Sequence, residues 1–125
     1  MIPDIQQLWI EAERVSETLE ETLHQEQVVL GLYADGVLPR SGTKLYPEHL
    51  RFARMLMLLT DEGATFTKRK ELIGANCYRY TREAIYLGYL TYKKDQNGKT
   101  VVYPSELLTS LISVSKPTEA ELVQC

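Results

Sequence analysis

A chain of 125 residues, 44% hydrophobic and 25% charged, has the size and balance of one globular unit and can bury a modest core without disulfide or metal staples. No apolar run approaches the ~18 residues that a membrane span needs, Met1-Ile2-Pro3-Asp4 lacks the basic-then-apolar pattern of a signal peptide, and Cys77 and Cys125 sit in no C-x-x-C pair; the expectation is a soluble cytoplasmic protein with reduced thiols, nucleoid-associated if bacterial. The net charge of −3 conceals two opposite regions, because residues 1–30 carry seven acids against one base and residues 66–103 carry eight bases against three acids, which points to one basic working surface and an acidic region elsewhere.

The first expected element is a long helix from about Asp4 to Tyr33. Pro3 or Asp4 suits its first turn. Ile5, Leu8, Ala12, Val15 and Leu19 recur at three-to-four spacing, and Trp9 and Leu23 widen the stripe. Gly31 or Gly36 is expected to end it. This stripe has two open readings. It can pack on the chain's own core, or it can pair with a second copy through Ile5, Leu8, Trp9, Ala12, Val15 and Leu19, joined by Leu108 and Leu111 near the C-terminus. The heptad pattern is too short to specify a coiled coil.

Residues 35–47 read as a loop rich in Gly, Pro, Ser and Thr. A second helix starts at Pro47-Glu48 and runs through Phe52, Met55, Leu56 and Leu59; being apolar almost all round, it should be the central helix of the core, ending before Gly63. Thr65-Phe66-Thr67 is a short β-prone link. Thr67 can cap a short helix from Lys68 to about Ile73, broken at Gly74-Ala75-Asn76. A further helix covers about Cys77 to Leu87 and closes at Gly88. Tyr89 to Lys94 and Lys99 to Tyr103 read as two strands around Asn97-Gly98, a strong hairpin signal. A two-residue loop there sets Tyr92 opposite Tyr103 and Lys94 opposite Val101, so that Leu90, Tyr92, Val101 and Tyr103 share a face. A short helix from Ser105 to about Val114 follows, and Lys116-Pro117-Thr118 is expected to be loose. The chain thus divides into an acidic N-terminal segment (1–36), a core (37–104) and a C-terminal helix with tail (105–125).

From residue 47 the order is helix, extended link, helix, tight turn, helix, hairpin. With Glu71-Leu72-Ile73 on the support helix, Thr81-Arg82-Glu83-Ala84-Ile85 on the next, the junction Leu87-Gly88-Tyr89-Leu90-Thr91 and the hairpin Lys93 to Tyr103, it resembles the winged helix superfamily of DNA-binding domains. The resemblance implies a mainly α fold with a small β-hairpin (α+β), a winged helix core flanked by N- and C-terminal helices. PadR-like and MarR-like regulators share a plan in which flanking helices pair two copies, and no motif here selects either.

The residues make a parallel physical case. On the helix Cys77–Leu87, the small or apolar Thr81, Ala84, Ile85 and Gly88 recur at helical spacing and should face the core, which turns Arg79, Arg82 and Tyr86 outward. A major groove ~12 Å wide admits such a helix, and arginine can bind guanine O6 and N7 with two hydrogen bonds. Tyr78 and Tyr80 flank this face. Lys68, Arg69 and Lys70 crowd a helix N-terminus, where cations oppose the macrodipole, as residues kept to meet phosphate can. Lys93, Lys94 and Lys99 decorate the hairpin, where they can contact DNA or discourage strand aggregation. The expected function is sequence-specific binding of double-stranded DNA as a dimeric transcriptional regulator.

Several alternatives stay open. A winged helix can serve as a protein–protein adaptor, and a plasmid or viral replication or partition protein uses the same DNA chemistry. Six tyrosines between residues 78 and 103, interleaved with bases, can also stack on single-stranded nucleic acid. Cys77, near a helix N-terminus and Arg79, has the setting of a lowered thiol pKa and hence of a redox switch, against the simpler reading of an inert buried thiol. His24 and His49 are isolated, no glycine-rich phosphate loop appears, and neither metal, cofactor nor enzymatic activity is expected.

Overall fold

A computed structural model describes residues 2–14, 18–66 and 75–124. In chain order the elements are α1 (Ile5–Arg14), α2 (Leu19–Ala34), α3 (Pro47–Leu58), β1 (Ala64–Phe66), α4 (Ala75–Tyr86), β2 (Leu90–Lys94), β3 (Thr100–Pro104), α5 (Glu106–Val114) and α6 (Glu119–Gln124). The architecture is α+β, mainly helical with one small antiparallel sheet in the order β1-β3-β2.

The expected long N-terminal helix is two helices. Thr18 has extended backbone angles and its side chain accepts from Glu21 N, so a new helix is capped there. The break lets both halves reach α3. From α1, Ile5, Leu8, Trp9 and Ala12 are buried, and each large apolar side chain so covered contributes roughly 1.5–3 kcal/mol. Arg51 of α3 ties the two together: its guanidinium lies 4.4 Å from the Trp9 ring centroid, its Nε donates to Trp9 O at 3.0 Å, and a terminal nitrogen is 3.4 Å from Glu13. From α2, Val28, Val29, Leu32 and Tyr33 are buried. Gly31 lies inside α2 and does not end it; a Cβ there would run into Leu111 of α5, so this glycine sets the close approach of the two helices. His24 also meets α5, at 2.7 Å from Ile112 O.

As expected, α3 is central. It packs against both α1 and α2 and buries Phe52, Ala53, Met55 and Leu56. One continuous core runs from Ile5 to Leu108 and draws on all three sequence segments. The sheet gains its third strand from the β-prone link, with Ala64 opposite Val102 and Phe66 opposite Thr100. On the other side of β1, Thr65 N donates to Pro3 O and Asp4 bridges Thr65 in parallel, so the start of the chain lies along the sheet edge. Gly63 enters β1 at φ +82°, and a Cβ there would stand 2.6 Å from Val102 O and 2.8 Å from the Tyr103 ring.

The hairpin register differs from the expected one by a single residue. Tyr92 pairs with Val102, Thr91 with Tyr103 and Lys93 with Val101. The loop is three residues, because Asp95 N donates to Lys99 O, Gly98 N donates to Asp95 O, and Gly98 adopts φ +79°. This is a turn followed by a left-handed residue, the second common hairpin geometry. Asp95 selects it: one oxygen of its carboxylate accepts from both Asn97 N (2.8 Å) and Lys99 N (2.9 Å). A one-residue shift moves a strand's side chains to the opposite face, so Tyr92 shares a face with Val102 and not with Tyr103, and it is 58% exposed.

Ser105 joins the two ends of the hairpin to α5. Its hydroxyl lies 2.6 Å from Gly88 O and 2.8 Å from Tyr89 O while accepting from Leu108 N. Lys116-Pro117-Thr118 forms no helix or strand, but it is followed by α6, a helix that was not expected. Thr118 and Glu121 form a reciprocal capping box, Glu121 N donating to Thr118 Oγ1 and Thr118 N to the Glu121 carboxylate. Among the described residues no helix is long and apolar enough to cross a membrane.

Candidate nucleic-acid interface

Helix α4 is held by a wide buried face. Cys77, Tyr78, Tyr80, Thr81 and Ala84 are each at most 5% exposed, and Thr81 Oγ1 donates to Cys77 O at 2.8 Å. The helix stops at Gly88, where Tyr89 N reaches back to Ala84 O and Gly88 N to Ile85 O, the paired bonds of a glycine C-cap. Tyr89 then dives inward and donates its phenolic hydrogen to Asp35 at the end of α2. The opposite face presents Asn76, Arg79, Arg82, Glu83 and Tyr86, spaced three or four apart, with Tyr86 at 84% exposed.

Of the residues expected to touch nucleic acid, Arg79, Arg82, Tyr86, Lys93, Lys94 and Lys99 are exposed, on α4 and on the hairpin that packs beside it. Lys68, Arg69 and Lys70 lie outside the described residues, as does the short helix expected around them. Tyr78 and Tyr80 require correction, because they belong to the core and do not flank a groove-facing surface. Tyr78 meets Phe66 edge-on at 5.5 Å between ring centroids, and Tyr80 meets Phe52 at 5.5 Å and His49 at 5.3 Å. The helix buries two adjacent ridges, and a stripe drawn through Thr81, Ala84 and Ile85 alone was too narrow.

Cys77 is also corrected. It is 1% exposed and its thiol is pushed up to about 12, chiefly by burial, against a smaller lowering through its contact with Thr81. A buried thiol of this kind is inert, and the redox reading falls.

The residues expected at a dimer interface divide. Ile5, Leu8, Trp9, Ala12 and Leu108 are buried inside this chain, Leu111 is half-buried against Gly31, Leu19 is 49% exposed, and Val15 lies outside the described residues. The apolar side chains left open to solvent include Leu107, Val114 and Val123, towards the C-terminus.

No residue spacing pointed to the arrangement behind Arg79. His49, read as isolated, is 5% exposed and bonded on both nitrogens, Nδ1 at 2.6 Å from the Tyr33 hydroxyl and Nε2 at 3.2 Å from that of Tyr80. Tyr80 donates to Glu48 at 3.0 Å. That bond fixes the direction of the whole chain: the Tyr80 oxygen must accept from His49 Nε2–H, and His49 Nδ1 must accept from Tyr33 O–H. As a neutral imidazole the histidine thus carries its proton on Nε2. Its pKa is lowered by burial, with Arg79 adding to the lowering and Glu48 opposing it. Burial raises the Tyr33 and Tyr80 phenols, so they remain donors. Asn76 Nδ2 closes the series on both Glu48 oxygens, at 3.3 and 3.1 Å. Five residues of α2, α3 and α4 are thus joined in one series, two of them on the helix that carries the arginines. Tyr33, Tyr46 and Tyr80 surround the imidazole edge-on.

Among the described residues no three His, Cys, Asp or Glu side chains converge where a metal ion could sit. Comparison of the chain with protein-family models, curated proteins and solved structures finds no match in any of the three.

Proposed function

We propose that this protein binds double-stranded DNA in a sequence-specific manner through α4 and the β2–β3 hairpin, as a winged helix transcriptional regulator acting as a dimer. The observation that carries this reading is the exposed face of α4, where Arg79, Arg82 and Tyr86 stand on a helix whose other face is anchored by Tyr78, Tyr80, Thr81 and Ala84. A rigid, exposed, cationic helix is the element that fits a major groove. Supporting it, β1 extends the hairpin into a three-stranded sheet directly after α3, and Lys93, Lys94 and Lys99 are exposed on the hairpin beside α4. Two copies would read half-sites one helical turn apart, about 34–36 Å; with Ile5, Leu8, Trp9 and Ala12 buried in their own chain, the exposed Leu19, Leu107, Val114 and Val123 are among the apolar residues available for pairing.

A second reading has its own support. Tyr86 and Tyr92 are 84% and 58% exposed, and exposed aromatics among bases suit stacking on single-stranded nucleic acid.

Fluorescence anisotropy separates the two. A random-sequence duplex and its matched single strand are titrated from about 50 to about 200 mM salt, where duplex affinity should fall with a log–log slope near −0.9 per phosphate neutralised. A duplex selected from a random pool should then lose its preference over random sequence in Arg79→Ala and Arg82→Ala, each by about 1–3 kcal/mol if the arginine reads a guanine. Preference for the single strand would install the second reading, and no binding to either at the low salt would refute both.

A further inference from the structure

Beside α4, between the loop after α2 and the start of α3, lies an open cavity of about 560 Å³, within the ~300–1,000 Å³ of small-molecule sites. Pro39, Tyr46 and Pro47 form its apolar walls, His49, Tyr80 and Glu48 form one polar end, and Arg40 and Ser41 complete the lining. That end is held rigid, because His49 and Tyr80 are buried and locked in the directed hydrogen-bond series that terminates on the Glu48 carboxylate.

Every hydrogen atom in the series points towards Glu48, so this polar end offers acceptors. A carboxylate has about four lone-pair positions; Asn76 and Tyr80 approach the two Glu48 oxygens in three contacts, which leaves room for one further donor. Among the lining residues the charges balance, since the Arg40 guanidinium stands with the Glu48 carboxylate. Arg40 is itself engaged, its Nε donating to Gly42 O at 2.9 Å and its guanidinium lying 5.4 Å from the Tyr33 ring centroid. A net anion meets Glu48 and a net cation meets Arg40, so neither is favoured. Flat walls of proline and tyrosine suit a planar ring.

We infer that this cavity is a binding site for an uncharged, planar aromatic molecule of one or two fused rings that carries a single hydrogen-bond donor, delivered to Glu48. The site stands on the cavity alone, so failure of DNA binding by α4 leaves it intact.

Indole is a suitable probe, being flat, neutral and furnished with one N–H. Its binding to the full chain is measured by equilibrium dialysis beside N-methylindole, indoleacetate and tryptamine, which remove the donor, add an anion and add a cation. Indole is expected to bind at least about tenfold more tightly than each of the three, the scale of one charge-assisted hydrogen bond. Amide NMR shifts on adding indole should centre on Tyr46, Glu48, His49 and Tyr80. Glu48→Gln should narrow the preference of indole over N-methylindole, and Tyr46→Ala should weaken all four probes while the rest of the amide spectrum is retained. Absence of indole binding at millimolar concentration, equal binding of N-methylindole, tighter binding of either charged probe, or shifts centred elsewhere would each overturn the assignment.

Discussion

Replacing Gly63 by alanine tests the junction between α3 and the sheet. Gly63 sits at φ +82°, a left-handed conformation that costs an L-residue roughly 1–2 kcal/mol. The added Cβ would also stand 2.6 Å from the carbonyl oxygen of Val102, in the central strand, and 2.8 Å from the ring of Tyr103. The ring can turn aside, but the carbonyl belongs to the ladder that holds β1 and β3 together, and such overpacking costs about 1–3 kcal/mol more. Gly98 is the natural control. Its φ is nearly the same, +79°, yet nothing stands within 4 Å of a Cβ there, so Gly98→Ala bears the conformational cost alone. With about 2.1 cal/mol/K of unfolding entropy per residue, a chain of 125 residues loses about 4 °C of Tm per kcal/mol. Scanning calorimetry should therefore give a drop of about 4–8 °C for Gly98→Ala and about 8–20 °C for Gly63→Ala. Equal drops in the two variants would refute the close approach of Gly63 to β3.

Three further outcomes are expected. In a Cys125→Ser background, Cys77 should resist alkylation at pH 8 in the folded protein and react on unfolding in urea, because burial pushes its thiol up to about 12; rapid labelling under native conditions would contradict its placement. The lowered pKa of His49 means that the unfolded chain binds protons first as pH falls below about 6.5, the ordinary histidine value. Its contribution to stability is therefore complete above that pH and declines from there down to the lowered folded value; urea melts at several pH values should show this slope, reduced in His49→Gln, and an unchanged slope would remove His49 as its source. Ser105→Ala should cost about 0.5–2 kcal/mol, the usual range of an N-cap, through the lost contacts to Gly88, Tyr89 and Leu108, read as a shift in urea midpoint without a change in m-value.

Periodicity made much of the fold legible. Helix α3, the β-prone link, the hairpin and α5 stand where apolar spacing and turn residues put them, because each signal there is local and strong. The misreadings share a cause, since at each position a polar side chain decided the backbone locally. Thr18 with Glu21, and Thr118 with Glu121, match the Thr-x-x-Glu capping signature, and either could have been used to divide α1 from α2 or to start α6. Asp95 overrode the two-residue turn that Asn97-Gly98 favours, by bonding the backbone on both sides of it. On α4 the exposed arginines could be read from spacing, but the two tyrosines could not be told from surface aromatics by type, since a phenol suits either setting. The His49 series was invisible for a different reason. Tyr33, His49 and Tyr80 lie far apart in sequence, and only the packing of α2, α3 and α4 brings the two phenols to one imidazole.

The strand-like contact of Pro3 and Asp4 with Thr65 leaves the small sheet asymmetric in its growth. One side already has a neighbour for β1, so the backbone groups that would recruit another chain lie along β2. There the strand offers Lys93 and Lys94, both exposed, and two such strands laid together would bring four ammonium groups into a single ribbon. A fusion or cleavage that disturbs the first four residues would open the uncharged side, whose Ala64-Thr65-Phe66 has no lysine to repel a twin, and would turn a covered edge into an adhesive one.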